Sequence, residues 1–275
     1  MFDLHVHTAP DVQERACDDT TMARRYEDSG FTGFVLKGHY ADTTARAAAM
    51  SRITSVRAYG GIVLNSQVGG FNPVSVWSAL QMGARIIWMP TIDALAHRRA
   101  GLERPYPPRV GLQAPAYSTP PLDRAPEFRL RLILDLIAES DAVLATGHLS
   151  APEIQWLLTA AEAAGVQRIL MTHPTYTVPA LSHDQVAAFA ARGAIAEITA
   201  FQFLQQAHCD AAGLAELIRT VGASRVVLSS DVGQPASPMP ARALATLIDA
   251  LAAEGIAREQ LEAMAGRQAE QLVIP

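Results

Sequence analysis

One pattern repeats along the chain: a short apolar run read as a strand, followed by a longer and often Ala-rich stretch read as a helix. The runs fall at 2–7, 33–38, 61–65, 84–89, 142–147, 168–172, 194–199 and 225–230. Helices are predicted between and after them, and their ends carry stop and start signals. Asp18 and Asp19 supply cap material for a helix that Gly30 closes, and Asp42 or Thr43 caps the next. Pro73 opens the third. Ser150 with Glu153 three residues on forms a capping box, and Ser182 caps a later helix. Two helices, at 240–254 and 258–272, follow the last strand.

Eight strands alternating with helices predict an α/β fold, a (β/α)₈ TIM barrel, in a single domain over 1–275. An open doubly wound sheet would carry a nucleotide on a Gly-rich turn after a strand, and the chain has no such turn. The first strand begins at residue 2, so no accessory domain is expected before it. The rhythm breaks after strand four. From 94 to 125 the chain is rich in proline and arginine, an insertion that reads equally as a lid or as a surface excursion.

Composition narrows the picture. With 49% apolar and 18% charged residues in 275, a sizeable core forms and global disorder is not expected. A net charge of −5 gives no reason to expect a nucleic-acid partner. Cys17 and Cys209, far apart, make no disulfide framework and fit a reducing compartment. Neither a signal peptide nor a stretch long enough to cross a bilayer is visible, so a cytoplasmic protein without membrane attachment is expected. Barrels often pair, so a homo-oligomer is admitted, although no seam is legible.

In a barrel the active site lies at the C-terminal ends of the strands. The first strand ends in His5-Val6-His7; by strict alternation both histidines share a face with Asp3. Strand two ends in Lys37-Gly38-His39, strand five at His148, strand six at His173 and strand eight at Asp231, while strand seven carries Glu197. A lone strand-end histidine usually just completes a hydrogen-bond pattern, and a lone aspartate usually caps a helix. Five of the eight histidines on one rim with a carboxylate point instead to a metal site. Imidazole and carboxylate donors suit one or two divalent ions: Zn first, with Mn, Fe or Ni as alternatives.

The ordered set His5-x-His7, His148, His173 and Asp231 resembles the amidohydrolase superfamily over the whole chain. Within it the chain is similar to compact single-barrel members that have Asp-Leu-His-Val-His-Thr at the start and Ser-Ser-Asp near the end. The resemblance implies a metal-dependent hydrolase whose ligands are His5, His7 and Asp231. His148 and His173 would hold a second ion or the substrate, and Asp231 would move the proton. Lys37, His173 and Asp231 are the catalytic candidates. Many members carry a bridging carbamate or glutamate on strand four, where this chain has Trp88-Met89-Pro90-Thr91. Lys37 could bridge from strand two as a carbamate and join the metal ligands. It could instead remain an ammonium that binds an anion or stabilises an oxyanion.

His39, Glu197, Asp11 and Arg109 are candidates for substrate binding, Asp11 together with Arg15 and Arg109 with the other arginines of the insertion, Arg98, Arg99 and Arg104. Glu197 also reads as a metal ligand, as a partner of a histidine or as a salt-bridged rim residue. The expected substrate is a small molecule with a C–N amide bond, as in a cyclic amide or imide, or a lactone. Two alternatives stay open. The His-x-His with a strand-two histidine is also similar to the polymerase-and-histidinol-phosphatase family of phosphoesterases, which usually has a carboxylate where this chain has Asn65 and Asp-x-His where it has Asp231-Val232-Gly233. The other alternative is a non-catalytic metal- or ligand-binding barrel.

Overall fold

The computed structural model describes residues 1–102, 114–121 and 124–274. Among the described residues nine strands run parallel: β1 (Phe2–Val6), β2 (Gly33–Leu36), β3 (Arg57–Tyr59), β4 (Gly61–Val63), β5 (Ile86–Trp88), β6 (Val143–Ala145), β7 (Arg168–Met171), β8 (Ile195–Thr199) and β9 (Val226–Ser229). Their order is β1-β2-β3 in one sheet and β4 through β9 in a second. The two sheets are one barrel. β3 and β4 are consecutive pieces of the third barrel strand, interrupted at Gly60. At the other seam β1 meets the end of β9: His7 N donates to Val232 O at 2.9 Å and Asp231 N to His5 O at 2.7 Å.

The interruption has a local cause. The Thr43 hydroxyl, expected to cap the following helix, lies between β2 and β4, donating to Leu36 O at 2.6 Å and accepting Gly61 N at 3.0 Å. Asp42 Oδ1 accepts Thr44 N at 2.9 Å in its stead. A Cβ on Gly60 would stand 2.5 Å from Thr44 Cα, so only glycine lets the helix start come this close.

Side chains alternate between two apolar layers. Val35, Val63, Ile86, Trp88, Val143, Leu170 and Val227 fill the barrel interior. Phe34, Leu36, Ile87, Leu144, Ile169 and Leu228 pack outward against the helices. β1 breaks this alternation. Phe2 and Leu4 belong to the interior, but Val6 belongs to the outer layer, and the register with β2 shifts between Asp3 and Val6. This bulge turns His5 and His7 inward and leaves Asp3 on the outer side, against Tyr26. Strict alternation put Asp3 on the histidine face; the bulge separates them.

The Asp3 carboxylate organises the bulge. Its Oδ1 accepts His5 N at 3.1 Å and Ser230 N at 2.9 Å, and its Oδ2 accepts the Tyr26 hydroxyl at 2.6 Å. It is fully buried and satisfies three donors from three elements.

Of the insertion after the fourth barrel strand, the described part is fixed at its base. Tyr117 N donates to Asp93 O at 2.9 Å and Leu95 N to Tyr117 O at 2.7 Å. Arg98 Nη2 donates to Pro115 O at 2.6 Å and pairs with Asp93 at 3.4 Å, so it ties the loop rather than facing the barrel mouth. Arg104 and Arg109 lie outside the described residues. Among the described residues no helix is long and apolar enough to cross a membrane.

Candidate metal centre

The two inward histidines of β1 and the aspartate after β9 meet at the barrel mouth. His5 Nε2 stands 2.9 Å and His7 Nε2 3.2 Å from the same oxygen, Asp231 Oδ1. One donor atom from each of the three residues lies within 4.8 Å of the others, and all three residues are buried.

The residues present fit a divalent ion. Two ligand atoms on bonds of about 2.05 Å stand about 2.9 Å apart at a right angle and about 3.4 Å apart at the tetrahedral angle. The observed 2.9 and 3.2 Å fall within that span. His5 Nε2 is buried without a hydrogen-bond partner despite its closeness to the carboxylate, because the contact is misaligned for a hydrogen bond. That is how two ligands face a common centre. Among the described residues this is the one group of its kind.

The backbone supports the arrangement at some cost. Asp231 has φ of 51° and His173 has φ of 27°, both in the left-handed region. Such strain persists where surrounding contacts impose it, often at functional sites. Gly233 follows with φ of 133°, and a Cβ there would lie 2.0 Å from the His7 carbonyl oxygen. No other residue lets the segment after β9 pass this close beneath the His-x-His strand.

Charge states suit a cation. Burial alone would raise the Asp231 carboxyl, but the neighbouring His5, His7 and His173 rings outweigh it and hold the group well below the ordinary carboxylate value. Burial pushes His7 well below the ordinary imidazole value and His173 down to about 4. His5 runs the other way: burial lowers its pKa, but Asp231 and Glu197 raise it overall. The site thus presents an ionised carboxylate and, at His7 and His173, neutral imidazoles, the forms that bind metal, while binding at His5 would displace a proton from its ring.

Glu197, completely buried on β8, stands behind His5 rather than at the cleft wall. Its Oε1 lies 3.2 Å from His5 Nδ1 and accepts the Ser229 hydroxyl at 2.6 Å, while Oε2 accepts His173 N at 3.3 Å. A carboxylate in this position would fix the tautomer of His5 if its imidazole ligates a metal. Glu197→Gln is expected to leave the fold intact and weaken metal affinity about 10–100-fold, read by competition with a chromophoric chelator.

The remaining candidates line or border a cleft of about 410 Å³, counted to its open mouth, over the Asp231 carboxylate. His173 Nε2 is 4.0 Å from Asp231 Oδ2. His148 faces the cleft, and its Nδ1 lies 2.8 Å from Nδ1 of His97. His97 stands on the short helix Leu95–Arg99 and follows no strand, so its place in the sequence does not mark it as part of the rim. His39 stacks on His7, ring centroids 5.0 Å apart, and its Nδ1 meets Thr91 Oγ1 at 2.9 Å. Lys37 is buried and reaches the cleft with Nζ 5.5 Å from the centre of the Trp88 ring. Asp11 lies behind the wall, paired with Arg15, and it is Arg15 that faces the cleft.

The fold is shared with solved amidohydrolase-superfamily structures. An amidohydrolase from Pseudomonas aeruginosa superposes with a TM-score of 0.62 at 10% identity, over 99% of this chain and 94% of that one. A TatD homolog from Escherichia coli K12 gives 0.62 at 14% identity, over 100% and 98%. A mutant organophosphorus hydrolase from Deinococcus radiodurans gives 0.61 at 14% identity, over 98% and 92%. At such identities the likeness is one of fold. No curated protein matches in sequence. The profile of the family of unknown function DUF6282 matches residues 1–197, through the His-x-His strand, His148, His173 and Glu197, and the chain belongs to that family.

Proposed function

We propose that this protein is a metal-dependent hydrolase that cleaves a C–N amide bond, as in a cyclic amide or imide, or a lactone, in a small molecule. One observation carries the reading: His5 Nε2, His7 Nε2 and Asp231 Oδ1 converge at the C-terminal mouth of a barrel, beside a cleft open to solvent. A closed structural metal site has no such opening.

His5, His7 and Asp231 would hold a divalent ion, which would supply Lewis-acid polarisation and bring the pKa of a water towards neutrality. The protein's groups do the rest. Asp231 Oδ1 faces the two histidines. Its Oδ2 faces His173 Nε2 across 4.0 Å, too long for a direct hydrogen bond and short enough for one water between them. Asp231 Oδ2 is therefore the atom that takes the proton from the attacking water and returns it to the leaving nitrogen or oxygen. Neutral His173 orients the substrate's reacting oxygen from the opposite side. Glu197 keeps His5 in the tautomer that turns Nε2 to the site. The phosphoesterase reading gains no support, since Asn65 is fully engaged: its Nδ2 donates to Thr91 Oγ1 at 2.8 Å and its Oδ1 accepts Thr91 N at 2.9 Å.

Turnover of a panel of lactones, cyclic amides and phosphoesters by protein loaded with Zn or Mn tests the proposal. Hydrolysis of a lactone or cyclic amide, lost in His5→Ala, is expected. If no member of those two classes turns over with either metal, or if His5→Ala retains the full rate, the proposal fails.

A further inference from the structure

The metal reading leaves two cations on the cleft wall unexplained. Arg15 stands in the segment between β1 and the helix Asp19–Asp28, and that segment is pinned along its length. Ala16 N donates to Gly233 O at 2.8 Å and Ala9 N to Cys17 O at 2.9 Å. Arg46 donates to Thr8 O at 3.1 Å and pairs with Asp19 at 2.8 Å, while Thr8 Oγ1 donates to Asp19 Oδ1 at 2.5 Å.

Asp11 holds the arginine. Its Oδ2 accepts from Arg15 Nε at 2.9 Å and from Nη2 at 2.8 Å, and Gln13 Oε1 lies 3.3 Å from Nη2. The two side chains are only 2% and 3% exposed. A surface arginine gains little from such confinement, and taking an ion pair out of water is costly. The pair engages the Nε–Nη2 edge. Nη1 has no protein hydrogen-bond partner among the described residues, on a side chain that lines the cleft.

Lys37 reaches the same cleft from the end of β2, on a rigid strand over Trp88. Two like charges sharing a confined space disfavour each other unless an anion lies between them. Asp231 is the sole carboxylate among the described residues lining the cleft, and the metal centre uses its charge. With a divalent ion in place Lys37 has no carboxylate of its own on the cleft wall, while Arg15, whose charge Asp11 balances from behind, keeps Nη1 for a ligand in the cleft. Guanidinium N–H groups match carboxylate oxygens in geometry as well as charge.

We propose that Arg15, positioned by Asp11 and seconded by Lys37, binds a carboxylate on the substrate, so that the enzyme acts on small carboxylated molecules. The word substrate rests on the hydrolase reading above; carboxylate binding by Arg15 does not.

The test is ¹⁹F NMR titration of the zinc-loaded protein with 4-fluorobenzoate and with its uncharged counterpart 4-fluorobenzamide. Wild type, Arg15→Gln, Arg15→Lys and Asp11→Asn are compared at matched zinc content and with unfolding midpoints recorded. The expected result is benzoate binding by wild type, weakened at least tenfold in Arg15→Gln and partly retained in Arg15→Lys. Asp11→Asn keeps the cation but frees it, and is expected to fall between wild type and Arg15→Gln. The benzamide should bind more weakly than the benzoate and show no dependence on residue 15. Equal benzoate affinity in wild type and Arg15→Gln, equal affinity of wild type for the two ligands, or no benzoate binding by wild type overturns the proposal. Failure of the hydrolase reading shows itself separately, as absent zinc uptake or absent turnover with Arg15-dependent binding intact.

Discussion

Asp231→Asn is expected to lower the metal-dependent rate by about 10³-fold, within the range for loss of a positioned proton-transfer group. It is also expected to reduce bound metal in the isolated protein, measured by elemental analysis. The substitution is isosteric, so the His5 and His7 rings keep a neighbour of the same shape while the negative charge between them is lost. The variant should fold, and its pH profile of stability identifies the charge as the cause. In the metal-free protein the Asp231 carboxyl is held well below its ordinary value by the His5, His7 and His173 rings, against the opposing effect of burial. A depressed carboxyl contributes stability that is present above the unfolded-state value of about 4 and is lost as pH falls through the lower folded-state value. Urea midpoints of metal-free wild type and Asp231→Asn should therefore differ at neutral pH and converge in acid. A difference independent of pH would show that Asp231 acts by shape alone.

Asp3→Ala is expected to cost about 3–5 kcal/mol of stability, because it leaves three buried donors unsatisfied at about 1–3 kcal/mol each. Those donors are His5 N, Ser230 N and the Tyr26 hydroxyl. Two belong to the backbone on either side of the metal centre, so metal affinity should fall although Asp3 is not a ligand. Asp3→Asn should be milder. Its Oδ1 can still accept both backbone N–H groups, and the Tyr26 oxygen can accept from the new amide. Here the pH dependence has the opposite sign. Burial is the largest influence on Asp3 and raises its pKa above the ordinary value, with the hydrogen bonds only partly offsetting it. A raised folded-state value means that its contribution is complete at low pH and declines as pH rises through that value. Urea denaturation of metal-free Asp3→Ala and wild type should show a deficit largest in acid, whereas the Asp231→Asn deficit is largest near neutrality. If the two variants show the same pH trend, the roles assigned to these carboxylates are wrong.

The barrel is legible in the sequence because each apolar run is separated from the next by a stretch with its own caps, and the Ser150–Glu153 and Ser182 signals stand where the helices begin. The inward residues at most strand ends also follow from simple alternation: Lys37 falls on the face of Val35, and Glu197 on the face of Ile195. Alternation fails in β1, because a bulge is a property of the pairing between two strands and leaves no mark in either one alone. Thr43 reads as a helix cap for the same reason: the gap it fills between β2 and β4 exists only in three dimensions. His97 sits on a helix turn inside the insertion, with no strand before it to mark it as part of the rim. Arg15 is visible from the sequence as a residue after the His-x-His strand, but its confinement by Asp11 is not. Glu197 is visible as an inward carboxylate on its strand, but its contact with His5 Nδ1 exists only in the folded barrel.

The seam between β1 and β9 joins parts of the chain 224 residues apart where His7 meets Asp231. Closing a loop of that length carries an entropic cost that the contacts of the seam must offset. The bulge, the Asp3 carboxylate and the three candidate ligands all sit on this one seam, so an ion bound there would clasp it shut. Binding to the closed form and not to the open one adds stability in proportion to the logarithm of metal concentration. Metal supply would then govern how often the barrel opens along this line. Amide hydrogen exchange at His7 and Asp231 should slow with added zinc, while exchange within β5 and β6 on the far side of the barrel stays unchanged.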